Sequence, residues 1–135
     1  MKIFIDTNVV LDVFLNRAGL VVSSKAVLKL YDEGHLLGAS LLTFTTGNYI
    51  ISKEYPVRES RKFLKQLRNI IVMVPATLNV LDKAIDSDFI DFEDAIQYYT
   101  ALENGYELIC TRNVRDFRKS EIPILTPEEV VKRFE

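Results

Sequence analysis

Cysteine and histidine are nearly absent from this chain, since Cys110 and His35 are the single example of each. One cysteine cannot close a disulfide within the chain, and the apolar residues around Cys110 predict a small buried side chain at the end of a strand. Thiol catalysis would require the two side chains to meet. His35, however, follows Gly34 in a predicted turn, which favours an exposed loop histidine. The sequence therefore indicates neither redox nor thiol chemistry.

Long hydrophobic runs are also missing. No apolar segment approaches the roughly 20 residues that a membrane-spanning helix needs, and the apolar segment between Lys2 and Asp6 is too short for a signal peptide. Glycine-rich phosphate loops are absent as well, so hydrolysis of nucleoside triphosphates has no support. We expect a cytoplasmic protein that makes no contact with a membrane.

The chain has no excess of positive charge. Lysine and arginine number 17 against 19 aspartates and glutamates, and the net charge of −2 gives no general attraction to nucleic acid. One basic group shares a face of a predicted helix, where a solvated surface is the better interpretation. It comprises Arg58, Arg61, Lys62, Lys65 and Arg68. The other group lies beside Asp116 and comprises Arg112, Arg115, Arg118 and Lys119. From it we predict Arg112 and Arg115 as contacts to a substrate phosphate.

What the chain does have is a regular alternation of apolar strands with segments of helical period. The predicted strands cover residues 3–5, 36–39, 70–74, 107–110 and 122–125. Strands that alternate with helices imply right-handed crossovers and a parallel sheet covered on both faces. The chain has 135 residues, 48% of them hydrophobic. We therefore predict one domain over residues 1–135, a three-layer α/β/α sandwich around a parallel sheet of four to five strands.

Three aspartates stand where an apolar run ends or a helix begins. Asp6 follows the first strand, Asp116 lies just beyond the fourth, and Asp94 opens a helical pattern. Ligands of open parallel sheets bind at the carboxyl ends of the strands. Clustered carboxylates repel one another there unless a hard cation such as Mg²⁺ neutralises them. If the three residues converge, the pattern indicates a metal site and cleavage of phosphodiesters.

Other interpretations of these aspartates remain open. Asp94 could simply complement the helix dipole behind a cap formed by Asp91. An aspartyl-phosphate enzyme is a further alternative, because Asp6 follows the first strand. A haloacid-dehalogenase-like phosphatase needs a second aspartate where Asn8 stands, and a receiver domain needs adjacent acids after its first strand, so neither pattern is complete.

Three segments in this order resemble the PIN domain nucleases, in particular the VapC-like bacterial toxins and their stand-alone relatives. They are Asp6-Thr7-Asn8-Val9-Val10-Leu11-Asp12, the helix from Asp94-Ala95 to Gly105, and Thr111-Arg112-Asn113-Val114-Arg115-Asp116-Phe117. The resemblance covers nearly the whole chain. It implies a PIN-like fold and an endoribonuclease that depends on Mg²⁺ or Mn²⁺, with Asp6, Asp94 and Asp116 as the catalytic, metal-coordinating acids.

The resemblance also implies supporting residues and partners. The residues expected to hydrogen-bond around the three acids are Thr7, Asn8, Thr46, Thr111 and Asn113. Glu93 is expected there too, although it matches no position of the family motifs. VapC-like toxins are typically dimers that a small antitoxin holds inactive. We therefore expect three partners, namely RNA, an antitoxin protein and a second copy of this chain.

Two positions depart from the family pattern. Thr46 stands where the family usually carries a glutamate, and Asn113 stands where aspartate is common. A hydroxyl or an amide can orient a water but adds no negative charge, so metal affinity should fall. Glu93 or Asp91, close to Asp94 in sequence, could supply the missing charge. The alternative function is a PIN-fold module that binds RNA or protein with weak or no catalytic activity.

Overall fold

Five parallel strands form one central sheet. The structure, a computed structural model, describes residues 1–117 and 119–135; Arg118, one of the predicted basic residues, lies outside the described residues. The strands are β1 Lys2–Ile5, β2 Leu36–Ser40, β3 Ile71–Val74, β4 Leu108–Cys110 and β5 Ile124–Leu125. Their order across the sheet is β3-β2-β1-β4-β5, and every neighbouring pair is parallel. The predicted parallel sheet is confirmed.

The predicted helices lie between these strands, and two short segments are tighter than an α-helix. The α-helices of the described ranges are α1 Thr7–Phe14, α2 Val21–Leu28, α3 Leu41–Ile51, α4 Val57–Ile70, α5 Leu78–Asp86, α6 Phe92–Glu103 and α7 Pro127–Arg133. The segments Lys29–Glu33 and Val114–Phe117 are 3-10 helices. The helical segment that begins at Val21 therefore changes pitch after Leu28. It ends at Gly34, whose φ of 87° suits a residue without a side chain.

Side chains of β1 alternate between two apolar cores. Ile3 and Ile5 are fully buried in a cluster that includes residues of α1, α2, α4 and α7. Phe4, also fully buried, packs on the other face with residues of α6 such as Tyr98. Because successive side chains of a strand point to opposite faces, helices cover both sides of the sheet. The three-layer α/β/α architecture is confirmed.

Gly38 permits a close approach to the second face of the sheet. It pairs with Phe4 across β1 and β2, and a side chain added at Gly38 would overlap the ring of Tyr106. Tyr106 instead lies edge-on to Phe4, with ring centroids 5.5 Å apart. The glycine therefore leaves room for Tyr106, in the connection from α6 to β4, to pack against the sheet.

The carboxyl ends of the central strands lie next to one another. The backbone N–H of Asp6 donates to the carbonyl of Cys110 at 3.0 Å, so the ends of β1 and β4 are joined. Ser40 closes β2 on the other side of β1. Cys110 is fully buried as predicted, and this burial raises the pKa of its thiol. Among the described residues, no helix combines the length and the apolar character needed to cross a membrane.

Candidate active site

Asp6 is held at the junction of β1 and α1. It is the N-cap of α1, because one carboxylate oxygen accepts a hydrogen bond from the backbone N–H of Thr7 at 2.7 Å. Its side chain is nearly buried, with 4% of the residue exposed. The local sequence explains this position, since an aspartate after an apolar strand ends the strand and satisfies the first turn of the following helix. Asp6 therefore stabilises the fold as a helix cap, and this hydrogen bond occupies one lone pair of its carboxylate.

Neutral side chains fill the remaining space around Asp6. Gln97 donates to Oδ1 at 2.7 Å, Thr111 donates to Oδ2 at 2.7 Å, and Asn8 donates to Oδ2 at 3.4 Å. Burial raises the pKa of Asp6, while the hydrogen bonds from Thr111, Thr7 and Gln97 act to lower it. With Thr7, these donors come from three separate places along the chain. They orient the carboxylate without cancelling its charge.

The start of α6 brings further acids to the same place. Asp91 caps this helix by accepting from the backbone N–H of Asp94 at 3.1 Å. Asp94, in the first turn, is only 8% exposed. The pKa of Asp94 is raised to about 7. Burial is the largest cause, and repulsion from Asp6, Asp91, Asp116 and Glu93 also contributes. A carboxyl with this pKa is partly protonated at neutral pH, and binding of a cation beside it would favour loss of the proton.

An open pocket of about 210 Å³ gathers these groups at the carboxyl edge of the sheet. Its acidic lining residues are Asp6, Asp91, Glu93 and Asp94, and the other residues in its wall include Thr7, Asn8, Arg17, Thr46 and Asn113. The helices α1, α3 and α6 and the segment after β4 therefore all contribute. The crossovers of the parallel sheet bring together residues that lie far apart in the sequence.

Asp116 lies beside this pocket rather than in its wall. It is exposed on the 3-10 helix Val114–Phe117 and lines an adjoining pocket with Asp91, Arg115 and Lys119. Asp91 lines both pockets. Asp116 still acts on the first site, because its charge contributes to the raised pKa of Asp94. Of the three predicted acids, Asp6 and Asp94 share one pocket and Asp116 flanks it.

The predicted supporting residues fall into two groups. Thr7 and Thr111 contact Asp6 or its neighbours directly: the Thr7 hydroxyl lies 2.9 Å from that of Thr43 and 3.4 Å from the Gln97 amide nitrogen. Asn8 also joins the segment after β4, since its side-chain oxygen accepts from the backbone N–H of Arg112 at 3.2 Å. The second group, which lies further out in the pocket wall, comprises Thr46, Glu93 and Asn113.

Arg112 is held in a network of its own. Its Nε donates to buried Asp12 at 2.9 Å, and its Nη1 donates to Glu128 of α7 at 2.6 and 2.7 Å. Its Nη2 bonds the Leu20 carbonyl and the hydroxyls of Ser23 and Ser24. A phosphate contact by Arg112 stays a prediction, and it would require the side chain to give up some of these bonds. Arg115 stays a predicted phosphate contact beside Asp116.

Two residues of the site region were missed from the sequence. Gln97 is 1% exposed and joins Asp6 to Ser40, whose hydroxyl donates to the Gln97 side-chain oxygen at 2.7 Å. Asp12, fully buried, accepts from Arg112, Arg17 and Ser24. A usable signal existed for Gln97. It lies one turn after Asp94 on the inward face of α6, and a glutamine among apolar positions needs a polar partner.

The donor chemistry of the pocket fits a divalent cation such as Mg²⁺ or Mn²⁺. Carboxylate, amide and hydroxyl oxygens are the ligands that these hard ions prefer. Within residues 1–117 and 119–135, no three acidic, histidine or cysteine side chains converge closely enough to hold one ion in the arrangement shown. The residues fit such an ion by their chemistry, and closure onto it would require side-chain rotation.

Comparisons with known proteins agree with this description. The PIN domain family model matches residues 2–115. The chain is 33% identical to Ribonuclease VapC1 of Aquifex aeolicus (strain VF5), with 98% of this chain and 95% of that protein covered. Two solved structures share the fold. VapBC2 from Rickettsia felis, bound to a DNA fragment from its promoter, has a TM-score of 0.76 and 13% identity, covering 93% of this chain and 98% of that one. A toxin-antitoxin complex from Klebsiella pneumoniae has a TM-score of 0.68 and 23% identity, covering 92% and 96%.

Proposed function

This chain belongs to the PIN domain family, and on that premise we propose that it is a divalent-metal-dependent endoribonuclease that hydrolyses RNA phosphodiesters. The observation that carries the proposal is the pocket at the carboxyl edge of the sheet, where Asp6, Asp91, Glu93 and Asp94 face one another. Such a concentration of acids is costly unless a cation accompanies it. The relative from Aquifex aeolicus, a ribonuclease by name, supports the choice of RNA as the substrate.

Asp6 and Asp94 are the residues that would hold the cation, with Asp116 closing the site from the adjoining pocket. When bound, a divalent ion of this kind polarises a phosphoryl oxygen and lowers the pKa of a water that attacks the phosphorus. Thr111 and Gln97 keep the Asp6 carboxylate oriented toward the pocket, each through a bond of 2.7 Å. Asn113 and Thr46 offer an amide and a hydroxyl in the wall, where they can orient water.

Substrate contact is proposed for the side of the site that carries Arg115. The chain has a net charge of −2, so RNA must be drawn by local groups rather than by the whole surface. Arg115 and Lys119 line the pocket next to the acids, where they can meet phosphate oxygens of the substrate. Lys119 is paired with Asp88 at 2.5 Å and would exchange this partner for a phosphate oxygen. Arg112 then has a positioning role, since it ties the segment after β4 to Asp12.

We also propose that the chain is the toxin of a toxin–antitoxin pair, acting in the cytoplasm as a single domain over residues 1–135. The structural relatives from Rickettsia felis and Klebsiella pneumoniae, the latter a toxin-antitoxin complex, support an antitoxin partner. A homodimer remains the prediction made from the family resemblance. Copurification with the product of a neighbouring gene, followed by light scattering, measures both partners at once.

A titration coupled to cleavage tests the proposed function. Mg²⁺ and Mn²⁺ are titrated into the wild type and into Asp94→Asn, and both proteins are assayed on a mixed RNA pool. We expect the wild type to bind the ion and cleave RNA, and the variant to lose both properties, because Asp94 supplies a charge that asparagine lacks. If neither protein binds a metal or cleaves RNA, the domain is instead a binding module on a nuclease fold.

A further inference from the structure

Glu93 is an acidic residue of the pocket that has no role in the function proposed above. Thr46 occupies the position on α3 where the family pattern places a glutamate, and it contributes no charge. Glu93, from the first turn of α6, faces the same pocket as Thr46. Thr46 contributes only a neutral hydroxyl to the wall that both residues form. A carboxylate therefore does lie at the Thr46 side of the pocket, although it comes from a different helix.

A helix-capping role does not explain the position of Glu93 at the start of α6. Asp91 is the residue that caps α6, through its bond to the backbone N–H of Asp94. Glu93 is half-buried, and besides the acidic pocket it borders an apolar one whose wall includes Leu41, Met73 and Ile96. Glu93 therefore lies between an apolar wall and three other acids, a position where a bound cation would offset the repulsion between the carboxylates.

We propose that Glu93 is a further acidic ligand group of the cation site and takes over, from α6, the role that a glutamate at position 46 on α3 would have. Thr46 lines the same pocket and supplies a neutral hydroxyl there, where it can orient water. This inference rests on the proposed metal-dependent function. It accounts for how a chain with Thr46 and Asn113 can still present enough negative charge to a divalent ion.

Binding of Mn²⁺, followed by calorimetry and by the melting temperature with and without the ion, tests the assignment. We compare the wild type with Glu93→Gln and with Glu54→Gln, which removes an exposed charge outside the pocket. Glu93→Gln should bind Mn²⁺ about tenfold or more weakly, the scale of losing one support of a metal site. Its melting temperature without metal should rise, because a repelling charge is gone. Glu54→Gln should change neither quantity.

The two readouts separate a binding role from a merely structural one. If Glu93 serves only to complement the helix dipole, Glu93→Gln lowers the melting temperature without metal and leaves Mn²⁺ affinity unchanged. That result overturns the inference while the proposed function stands. If the wild type itself binds no Mn²⁺, the proposed function fails together with the inference.

A rescue variant tests whether the location of the carboxylate in the pocket determines Mn²⁺ affinity. Thr46→Glu in the Glu93→Gln background returns a carboxylate to the same part of the pocket from α3, and it should recover most of the lost Mn²⁺ affinity. Thr45→Glu in that background adds the same charge at a neighbouring exposed residue and should recover none of it. Equal recovery by both would overturn the inference, because general charge would then explain the effect.

Discussion

Two buried aspartates on one strand–helix unit have opposite surroundings. Asp12, fully buried in α1, accepts hydrogen bonds from Arg112 at 2.9 Å and from Arg17 at 3.3 Å. Asp6, 4% exposed at the start of the same helix, accepts from Thr7, Gln97 and Thr111, which are neutral donors. Asp12 is paired with arginines and holds elements of the fold together. Asp6 has only neutral donors, so its negative charge, next to Asp94, is available to a cation.

The two networks are connected, and the first one supports the second. Arg112 joins Asp12 to Glu128 of α7, so the segment after β4 is fixed against α1 and α7. That segment carries Thr111, which orients Asp6, and Asn113, which lines the acidic pocket. Structural ion pairs thus set the wall of the site, while the site itself keeps an excess of negative charge.

Removing the charge of Asp12 should have the largest effect on stability. Asp12→Asn leaves Arg112 without its buried partner, and loss of one member of such a pair costs about 3–5 kcal/mol. Unfolding in urea at pH 7 measures this free energy. Glu128→Gln is the matched control, because it removes another partner of Arg112 whose side chain is 53% exposed; it should cost about 1 kcal/mol or less. Equal effects of the two variants would contradict the claim that the buried partner of Arg112, rather than the exposed one, stabilises the fold.

Loss of the Gln97 amide should act mainly on the site. Gln97→Leu removes the donor to Asp6 Oδ1 and should weaken Mn²⁺ binding by about 10–100-fold, since such supporting bonds orient a metal ligand. Ser40→Ala is the control, because it removes the other partner of Gln97 and leaves the bond to Asp6 in place. Calorimetry should show the smaller loss for Ser40→Ala. The positioning role of Gln97 is wrong if its replacement lowers stability and leaves Mn²⁺ affinity unchanged.

The dependence of stability on pH tests the repulsion within the pocket. The pKa of Asp94 is raised from 3.8 to about 7 in the folded protein. Between these values the folded state holds a proton that the unfolded chain has released, so the contribution of Asp94 to the free energy of unfolding falls as pH rises from about 4 to about 7. Melting curves in a chelator measure this contribution as the difference between the wild type and Asp94→Asn, and the wild type should lose stability relative to the variant across this range. A difference that stays constant from pH 4.5 to 7 would contradict the repulsion described for this pocket.

Most of the fold could be predicted because its signals are local. Apolar strands such as Ile3–Ile5 and end signals such as Gly34 mark the elements, and their alternation determines a parallel sheet. Asp6 was predicted for the same reason, since it follows a strand directly. The exposed position of Asp116 beside the pocket could not be predicted, because it depends on the path of a short 3-10 helix.

Side-chain partners across the sheet were harder to predict. The sequence places Arg112 near the acids but does not say whether its guanidinium faces solvent or Asp12. That choice depends on the packing of α1 and α7, which are separated from each other by most of the chain. Gln97 carries no motif, and its partner Asp6 lies on another element. Glu93 could be suspected from its neighbour Asp94, but the pocket that it shares with Thr46 of α3 forms only in the folded chain.

The most direct test of the account is the stability of Asp6→Asn with and without Mn²⁺. Asparagine caps a helix as well as aspartate does. Without metal, we therefore expect the variant to unfold within about 1 kcal/mol of the wild type. With Mn²⁺, the wild type should gain stability, whereas Asp6→Asn should gain none and cleave no RNA. A variant that cleaves RNA, or that loses as much stability without metal as Asp12→Asn, would show that Asp6 is retained for folding rather than for binding a cation.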